Sequence, residues 1–452
     1  VLEIRWTYIT EGSVNMSKIY GIDLGTTNSL LGLGDRLLTG LVPSVVNLQT
    51  GEAGKDVLED MSAARSFKCD ISMSKEGQLS VSASSRVLRQ LVKESGEDVQ
   101  DVVISVPAYF SDNQRHATIK AAELAGLTVV GLINEPTAAA IYASKSRKAL
   151  SLVYDLGGGT FDVSVVDSRF GDYDVQATDG CILGGDNFDA NIRRWVIKQG
   201  NIKVHHLSSE DLTRLKWDCS KLKIRLQKSR RDEVLDLTPY GAGQVVLTTE
   251  IYSEIMKLTF SETIIKAKKV LGEAVPVGEK YDLVMVGGST RCPLLREWVA
   301  KEMGQEPIEM FYDPDKIVAQ GAALYAQMLS DGTAHIQVSD VTKALSIEMA
   351  DGSARVLIPR NSKIPVQETT VVYNSVASNK LQLNLYQGDS LLASQNELIG
   401  QLTYSYDGVI PAGEGEVIVE ITVEVDGTIR FSCKELLKAP VGVVLDRTKT
   451  SI

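Results

Sequence analysis

The sequence predicts a large α/β domain followed by a small all-β sandwich, and three observations predict it. First, an Asp-Leu-Gly turn occurs twice. Gly21-Ile22-Asp23-Leu24-Gly25-Thr26-Thr27-Asn28-Ser29 follows the strand-like Lys18-Ile19-Tyr20, and Val153-Tyr154-Asp155-Leu156-Gly157-Gly158-Gly159-Thr160-Phe161-Asp162 recurs in mid-chain. A third glycine pair ends the run Leu283-Val284-Met285-Val286-Gly287-Gly288-Ser289-Thr290-Arg291. Second, the first two-thirds of the chain alternates β-branched runs with helical patterns, as parallel-strand α/β domains do. Third, beyond about residue 330 strand-length alternating runs dominate.

Each element has a local reason. Residues 101–107, with Val102-Val103-Ile104, form a buried-strand type of run. Residues 112–124 are alanine-rich and patterned for a helix that Ser111 or Asp112 caps. Residues 128–133 predict another strand. Glu135-Pro136-Thr137-Ala138-Ala139-Ala140 opens a helix with proline in its first turn, where the missing N–H costs nothing. Residues 210–230 and 250–272 predict amphipathic helices. Strands follow at 355–358, 369–373, 381–386, 416–425 and 429–433, separated by Asp-Gly, Gln-Gly and Gly-Glu-Gly turns. That is a sandwich-type pattern. The polar stretch 330–339 predicts a linker.

A strand ending in Asp-Leu-Gly puts a carboxylate at its tip, and the open turn beyond it lets backbone N–H groups face a phosphate. Two such turns predict a polyphosphate and its metal clamped between two lobes. The bulk numbers leave room for this. With 452 residues the chain holds more than one domain, and 44% hydrophobic with 23% charged residues is ordinary globular composition. A net charge of −11 argues against general nucleic-acid or anionic-membrane binding. Cys69, Cys181, Cys219, Cys292 and Cys433 are dispersed without a C-x-x-C pair, which reads as reduced thiols, and His205-His206 reads as a solvated turn. No apolar run reaches membrane-spanning length, and residues 1–15 lack the order of a secretory signal, so the expected location is cytoplasmic. Met16-Ser17-Lys18 reads as a start, leaving residues 1–15 as an upstream translated stretch, a tag or a genuine extension.

Over nearly all of residues 17–436 the chain resembles the heat-shock protein 70 (DnaK-like) chaperone family. The resemblance is carried by Gly-Ile-Asp-Leu-Gly-Thr-Thr-Asn-Ser, Val-Pro-Ala-Tyr-Phe, Ile-Asn-Glu-Pro-Thr-Ala-Ala-Ala, Asp-Leu-Gly-Gly-Gly-Thr-Phe-Asp and Val-Gly-Gly-Ser-Thr-Arg, in family order. Val-Ile-Ser-Val-Pro-Ala-Tyr-Phe-Ser-Asp is similar to the bacterial HscC branch. The resemblance implies an actin-like ATPase domain with duplicated ribonuclease H-like halves at 17–329, a linker at 330–340 and a β-sandwich peptide-binding domain at 341–436. The expectation is that the helical lid that follows in the family is absent.

The resemblance also implies roles. Gly25, Thr26, Thr27 and Asn28, with Gly157, Gly158 and Gly159, would cradle the phosphates of ATP or ADP. Gly184 and Gly185 would bind nucleotide as well. Asp23 and Asp155 would hold hydrated Mg²⁺, a hard ion suited to carboxylate and water oxygens. Lys68 would stabilise the transferring phosphoryl group, while Glu135, Thr160 and Asp162 orient the attacking water. Gly287, Gly288, Ser289 and Arg291 would line the adenosine pocket, with Lys223 and Asp315 nearby. Pro107 and Arg115 would relay between nucleotide and linker. Ile347, Ala350, Val372, Leu381 and Leu383 would form the peptide pocket of the β module. The implied partners are unfolded or extended hydrophobic peptides, a J-domain co-chaperone and a nucleotide exchange factor.

Departures from the family pattern bear on these expectations. The stretches on either side of Lys68 are short, Cys69 replaces a second basic residue, and Ser220 and Ile224 stand where glutamate and arginine are usual. These changes predict weakened ATPase activity. Gly131 replaces an arginine used toward J-domain partners, and His335-Ile336-Gln337-Val338-Ser339-Asp340 lacks the leucine run that docks the linker. The expected function is an ATP-dependent chaperone that hydrolyses slowly to regulate peptide binding. The alternative is a nucleotide-gated binding or sensor protein with little or no hydrolysis. An actin-like small-molecule kinase ranks last, because it leaves the β module without a task.

Overall fold

The computed structural model describes residues 18–445 except 61, 73, 76, 171–172, 309–311, 334–335, 338–340, 342, 361, 364, 424–428 and 435–440. Residues 1–15, Met16 and Ser17, together with His335, Val338, Ser339 and Asp340 of the expected linker, lie outside the described residues.

The first sheet contains β1 (Ile19–Asp23), β2 (Asn28–Leu33), β3 (Arg36–Leu37), β4 (Asp101–Val106) and β5 (Thr128–Asn134) in the order β3-β2-β1-β4-β5. Neighbours β1, β4 and β5 are parallel, whereas β2 returns antiparallel to β1. Helices α1 (Gln78–Ser95) and α2 (Asp112–Leu124) cover one face, with Leu88, Leu91, Ala117 and Ala121 packed onto Ile22, Val102 and Ile104. Helix α2 begins as the sequence expects, because Ser111 and Gln114 form a reciprocal capping box. Helix α3 (Glu135–Ala143) follows β5 with Pro136 in its first turn.

The second sheet holds β6 (Leu150–Leu156), β7 (Phe161–Asp167), β8 (Tyr173–Cys181) and β9 (Asp282–Val286) in the order β9-β6-β7-β8. Helices α4 (Gly185–Gln199), α5 (Ser209–Ser229), α6 (Thr249–Ala274) and α7 (Pro293–Met303) surround it. Helix α8 (Ile317–Ser330) then crosses to α3, and the two pack between the sheets through alanines. The approach is so close that a Cβ on Gly321 would lie 1.7 Å from the Ala138 carbonyl oxygen. Only glycine fits there, and this contact fixes the spacing of the two sheets.

A sandwich of two four-stranded antiparallel sheets follows. One has the order β11 (Ala354–Ile358), β10 (Leu345–Glu348), β13 (Ser378–Gln387), β14 (Glu397–Ile410). The other has the order β12 (Val366–Tyr373), β15 (Glu416–Val423), β16 (Ile429–Lys434), β17 (Val441–Leu445). Ile347, Leu385, Val419, Ile421 and Phe431 meet in the core between them.

The sandwich is docked on the second sheet. Ile336–Gln337 pair in parallel with Tyr173 and Asp174 at the edge of β8, so the polar linker docks through its backbone despite lacking a leucine run. In the loop after β11, Arg360 donates to both oxygens of Glu273 (2.5 and 2.7 Å) and to Asp179 (3.4 Å). Lys363 bonds Asp174 and the Val175 carbonyl. Asp179 also receives Lys266 at 3.0 Å and Lys269 at 3.2 Å. Burial pushes the Asp179 carboxyl up, but Lys266, the Gly180 N–H and Lys269 outweigh it and hold the group below its ordinary range. Asp179 therefore contributes fully at neutral pH, and its contribution fades as pH falls through its folded value. Arg360→Ala, Glu273→Ala and the double variant define a cycle whose coupling is expected at about 0.5–3 kcal/mol. Chemical unfolding measures it, and strictly additive effects would contradict the clasp.

Candidate active site

A cleft of about 340 Å³ opens where β1 and β6 end, between the two sheets. Turn residues from both halves line it: Gly25, Thr26, Thr27 and Asn28 after β1, and Gly157, Gly158 and Thr160 after β6. The turns touch. A Cβ on Gly158 would sit 2.0 Å from the Thr27 hydroxyl oxygen, so a side chain there would force the halves apart. The third glycine pair joins them through Ser289, whose hydroxyl donates to the Gly157 carbonyl at 2.8 Å. The start of α4 closes the ring, with the Gly185 N–H on the Gly157 carbonyl (3.1 Å) and the Asp186 N–H on the Gly158 carbonyl (2.7 Å). Gly159 packs on Cys69 and Thr26, and Gly184 lies against Gly158.

The floor is charged. Lys68 and Glu135 form an ion pair with side chains 4% and 9% exposed, the ammonium donating to Glu135 Oε1. Asp23 Oδ1 accepts from the Ser105 hydroxyl at 2.8 Å. Asp162 Oδ1 accepts the N–H groups of Ala108 (2.7 Å) and Tyr109 (3.4 Å), while its buried Oδ2 has no hydrogen-bond partner. Burial, then Glu135, pushes the Asp23 carboxyl up to about 6. The same two causes hold Asp155 and Asp162 well above the usual carboxylate range. Burial alone would lower the Lys68 ammonium, but Glu135, Asp23 and Asp162 outweigh it and leave it raised. Lys68 is thus a fixed cation among carboxylates short of positive charge. Asp23 and Asp155 offer hard oxygens toward the open cleft, the donor type Mg²⁺ takes. Among the described residues no group of three or more His, Cys, Asp or Glu side chains forms a protein-only metal cage. A hydrated ion shared with substrate phosphates needs no such cage.

A loop behind the floor ties these groups together. Arg115 on α2 donates to the carbonyls of Phe110 and Ala108 (both 3.3 Å) and to Asn134 Oδ1 at 2.8 Å. Asn134 immediately precedes Glu135, and Ala108 is the residue whose N–H holds Asp162. Pro107 accepts the Phe110 N–H and so shapes the same turn.

At the other end, Lys223 on α5 pairs with Asp189 at 2.7 Å and donates to the Gly185 carbonyl. Ser220, Ile224, Gly287, Gly288, Ser289 and Asp315 line this end. Gln227, one turn beyond Lys223, lines it too and donates to the Tyr252 hydroxyl at 2.8 Å. Its place one helical turn on was the available signal. Arg291 spends its guanidinium on Asp313 and Asp315 instead of reaching the lining. In the sandwich, Ile347, Val372 and Leu383 lie in the core between the sheets, Leu381 is half-buried beside it, and Ala350 is exposed. Asp186, Asp189 and Tyr109 went unread in the sequence, because each owes its position to another element.

Lys68→Met leaves Glu135 buried without its partner and is expected to cost about 3–5 kcal/mol of stability, measured by denaturant unfolding. A variant with wild-type stability would contradict a buried pair at this position.

A family description, "Hsp70 protein", matches residues 62–439. The chain is 33% identical over 461 residues to "Chaperone protein DnaK" of Mycoplasmopsis synoviae (strain 53), covering 92% of this chain and 77% of that one. It is 32% identical over 489 residues to "Chaperone protein dnaK" of Guillardia theta, covering 93% and 77%. With "Chaperone protein DnaK" of Mycoplasmoides gallisepticum it shares 33% identity over 475 residues, covering 94% and 79%. A mixed α/β unit built round a glycine-lined acidic cleft, followed by a β sandwich and matched across its length by these relatives, belongs to the Hsp70 family.

Proposed function

We propose that this chain is an ATP-dependent chaperone, which hydrolyses ATP slowly and uses the bound nucleotide to regulate its hold on unfolded polypeptide. The observation that carries the reading is the convergence of Asp23, Asp155 and the Lys68–Glu135 pair in one cleft between glycine turns of both halves, with the buried Asp162 close enough to act on the Lys68 ammonium. The proposed organisation is an actin-like ATPase domain at 17–329, a linker at 330–340 and a peptide-binding sandwich at 341–436. The shared strand order of the two sheets, with the third, second, first and fourth strands side by side, supports duplicated ribonuclease H-like halves.

The residues have roles that fit their surroundings. The turn amides of 25–28 and 157–159 face the phosphates, and Gly184 and Gly185 extend that cradle. Lys223, Gly287, Gly288, Ser289 and Asp315 hold the nucleoside end, with Arg291 beside it. Lys68 offsets charge on the phosphoryl group. Glu135, Thr160 and Asp162 orient the attacking water, and the buried Oδ2 of Asp162 keeps a free acceptor for it. Mg²⁺ held by Asp23 and Asp155 would supply divalent charge at the phosphates. The buried, charge-short carboxylates fit such an ion.

Pro107 and Arg115 link the floor to the neighbouring turn, and extended apolar peptide is the ligand proposed for the sandwich. Ile347, Val372 and Leu383 act there through the core, with Ala350 and Leu381 nearer the surface. A J-domain co-chaperone and a nucleotide exchange factor are the proposed protein partners. Among the described residues no helix is long and apolar enough to cross a membrane, and the five free cysteines support a reducing, cytoplasmic setting. The sensor reading drew on the shortened Lys68 region and the polar linker. The burial of Lys68 on Glu135 and the pairing of Ile336–Gln337 with Tyr173 and Asp174 both favour the chaperone reading over it.

Single-turnover hydrolysis with and without Mg²⁺, alongside binding of a labelled apolar peptide, tests the proposal. Slow Mg²⁺-dependent turnover is expected, with peptide affinity differing by about 5-fold or more between ATP and ADP. Absent hydrolysis, or equal peptide affinity in both states, would overturn it.

A further inference from the structure

The end of the cleft away from the acidic floor is walled by one stripe of α5. Ser220, Lys223, Ile224 and Gln227 fall at i, i+3, i+4 and i+7, so they share a helix face, and all four line the cleft. Lys223 is committed to Asp189 and the Gly185 carbonyl, and Ser289 donates to the Gly157 carbonyl. Asp315 is paired with Arg291 at 2.7 Å and lies against Gly288. The charged groups at this end are therefore engaged with the protein. What the stripe leaves for a planar base is the Ile224 side chain, 43% exposed, flanked along the helix by the Ser220 hydroxyl and the Gln227 amide.

The amide is held from behind. Gln227 Nε2 donates to the Tyr252 hydroxyl at 2.8 Å, which leaves Oε1 as the atom free to meet a ligand. Tyr252 on α6 is fully buried, and so is Cys292 just before α7, whose Sγ lies 3.9 Å from the same hydroxyl. Burial pushes both the Tyr252 hydroxyl and the Cys292 thiol up, so each keeps its proton at neutral pH. A protonated hydroxyl donates as well as accepts. Turned over, the same amide takes the Tyr252 proton on Oε1 and leaves Nε2 free, across the same contact. Cys292 fits both arrangements, because a thiol is a weak donor and a weak acceptor. Tyr252 thus holds the Gln227 amide in place without fixing its polarity. The Ser220 hydroxyl, which carries no charge either, rotates to donate or accept in the same way.

We propose that Gln227 reads the base of the nucleotide and reads it both ways, so that the site takes 6-oxo purine nucleotides as well as 6-amino ones. The inference rests on the ATP reading above and names the substrate class of that site. With Oε1 forward, the amide accepts from the exocyclic amine of adenine. With Nε2 forward, it donates to the 6-oxygen of hypoxanthine or guanine. Ile224 adds contact with the ring face, which is alike in all purines. Strong discrimination needs a group of fixed polarity that the wrong base leaves unpaired. The one such group on the stripe, Lys223, is already engaged.

The experiment is calorimetric titration of the full chain, with Mg²⁺, by ADP and by IDP, whose bases differ at the 6-position and the adjoining N1 proton. The wild type is expected to bind the two within about 10-fold of each other, the span of one ordinary hydrogen bond. Gln227→Glu fixes an acceptor, since Tyr252 can still donate to one carboxylate oxygen while the other faces the 6-position. That variant is expected to lose IDP affinity relative to ADP by about 5-fold or more. The ratio is a readout that a merely structural role of Gln227 would not move. The wild-type comparison needs no variant, so the test stands even where Gln227→Glu folds poorly. Wild-type binding of ADP with IDP weaker by more than about 10-fold would overturn the two-way reading and leave the ATP reading intact. An unchanged ratio in Gln227→Glu would do the same. A wild-type chain that binds neither nucleotide would overturn the ATP reading, and this inference with it.

Discussion

One ammonium faces four carboxylates at the floor of the cleft, and the arrangement of the rest follows from that imbalance. Asp23, Glu135, Asp155 and Asp162 crowd around Lys68 in a space largely closed to water. Burial raises the Asp23, Asp155 and Asp162 carboxyls, because fixed charge of one sign is costly where water cannot screen it. A polyphosphate entering such a site alone would meet its own sign of charge. Lys68 is already committed to Glu135, so further positive charge must arrive with the ligand. The cleft is therefore short of positive charge on its own.

The fold supplies this floor from elements far apart in sequence. Each sheet presents a strand tip ending in a carboxylate, and the glycine turns beyond the tips meet at Gly158 and Thr27. Helices α3 and α8, small-residued and crossing at Gly321, set how near the sheets come. Glu135 begins one of those helices, so the packing that spaces the halves also aims the partner of Lys68. Arg115 fastens the loop whose Ala108 N–H holds Asp162. Charge and packing converge on one short segment and one helix start. The sandwich enters the same system from the other side, since Asp179, which receives Arg360, lies on β8 just ahead of the Gly184–Gly185 turn.

Much of this was legible in the sequence, for physical reasons that can be named. The Asp-Leu-Gly turns announced the strand tips, because few other sequences place a carboxylate and open backbone together. Helix α2 could be bounded to the residue from its cap and pattern. Strand β14 escaped, although it is the longest in the sandwich, since Gly400 and Gly408 interrupt it and much of it faces solvent. Strand β10, Leu345-Ser346-Ile347-Glu348, alternates apolar and polar residues over only four positions, which is too short a pattern to stand out in the sequence. The docking of Ile336–Gln337 is carried by backbone hydrogen bonds, which leave no signature in side-chain chemistry. The resemblance pointed to Ile347, Val372 and Leu383 as pocket residues, whereas they lie in the core, because the pleat produces the same alternating pattern for core and pocket. Gln227, Tyr252 and Cys292 share no motif, so only the fold could join them.

We propose that the acidic floor recruits nucleotide through a divalent cation held by Asp23 and Asp155. Calorimetric titration of ADP into the wild-type chain and into an Asp23→Asn/Asp155→Asn variant, each with Mg²⁺ and with chelator, tests it most directly. The account predicts tight binding only for the wild type with Mg²⁺, and in the variant an affinity indifferent to the metal. Equal wild-type affinity with and without Mg²⁺, or an intact metal effect in the variant, would contradict it.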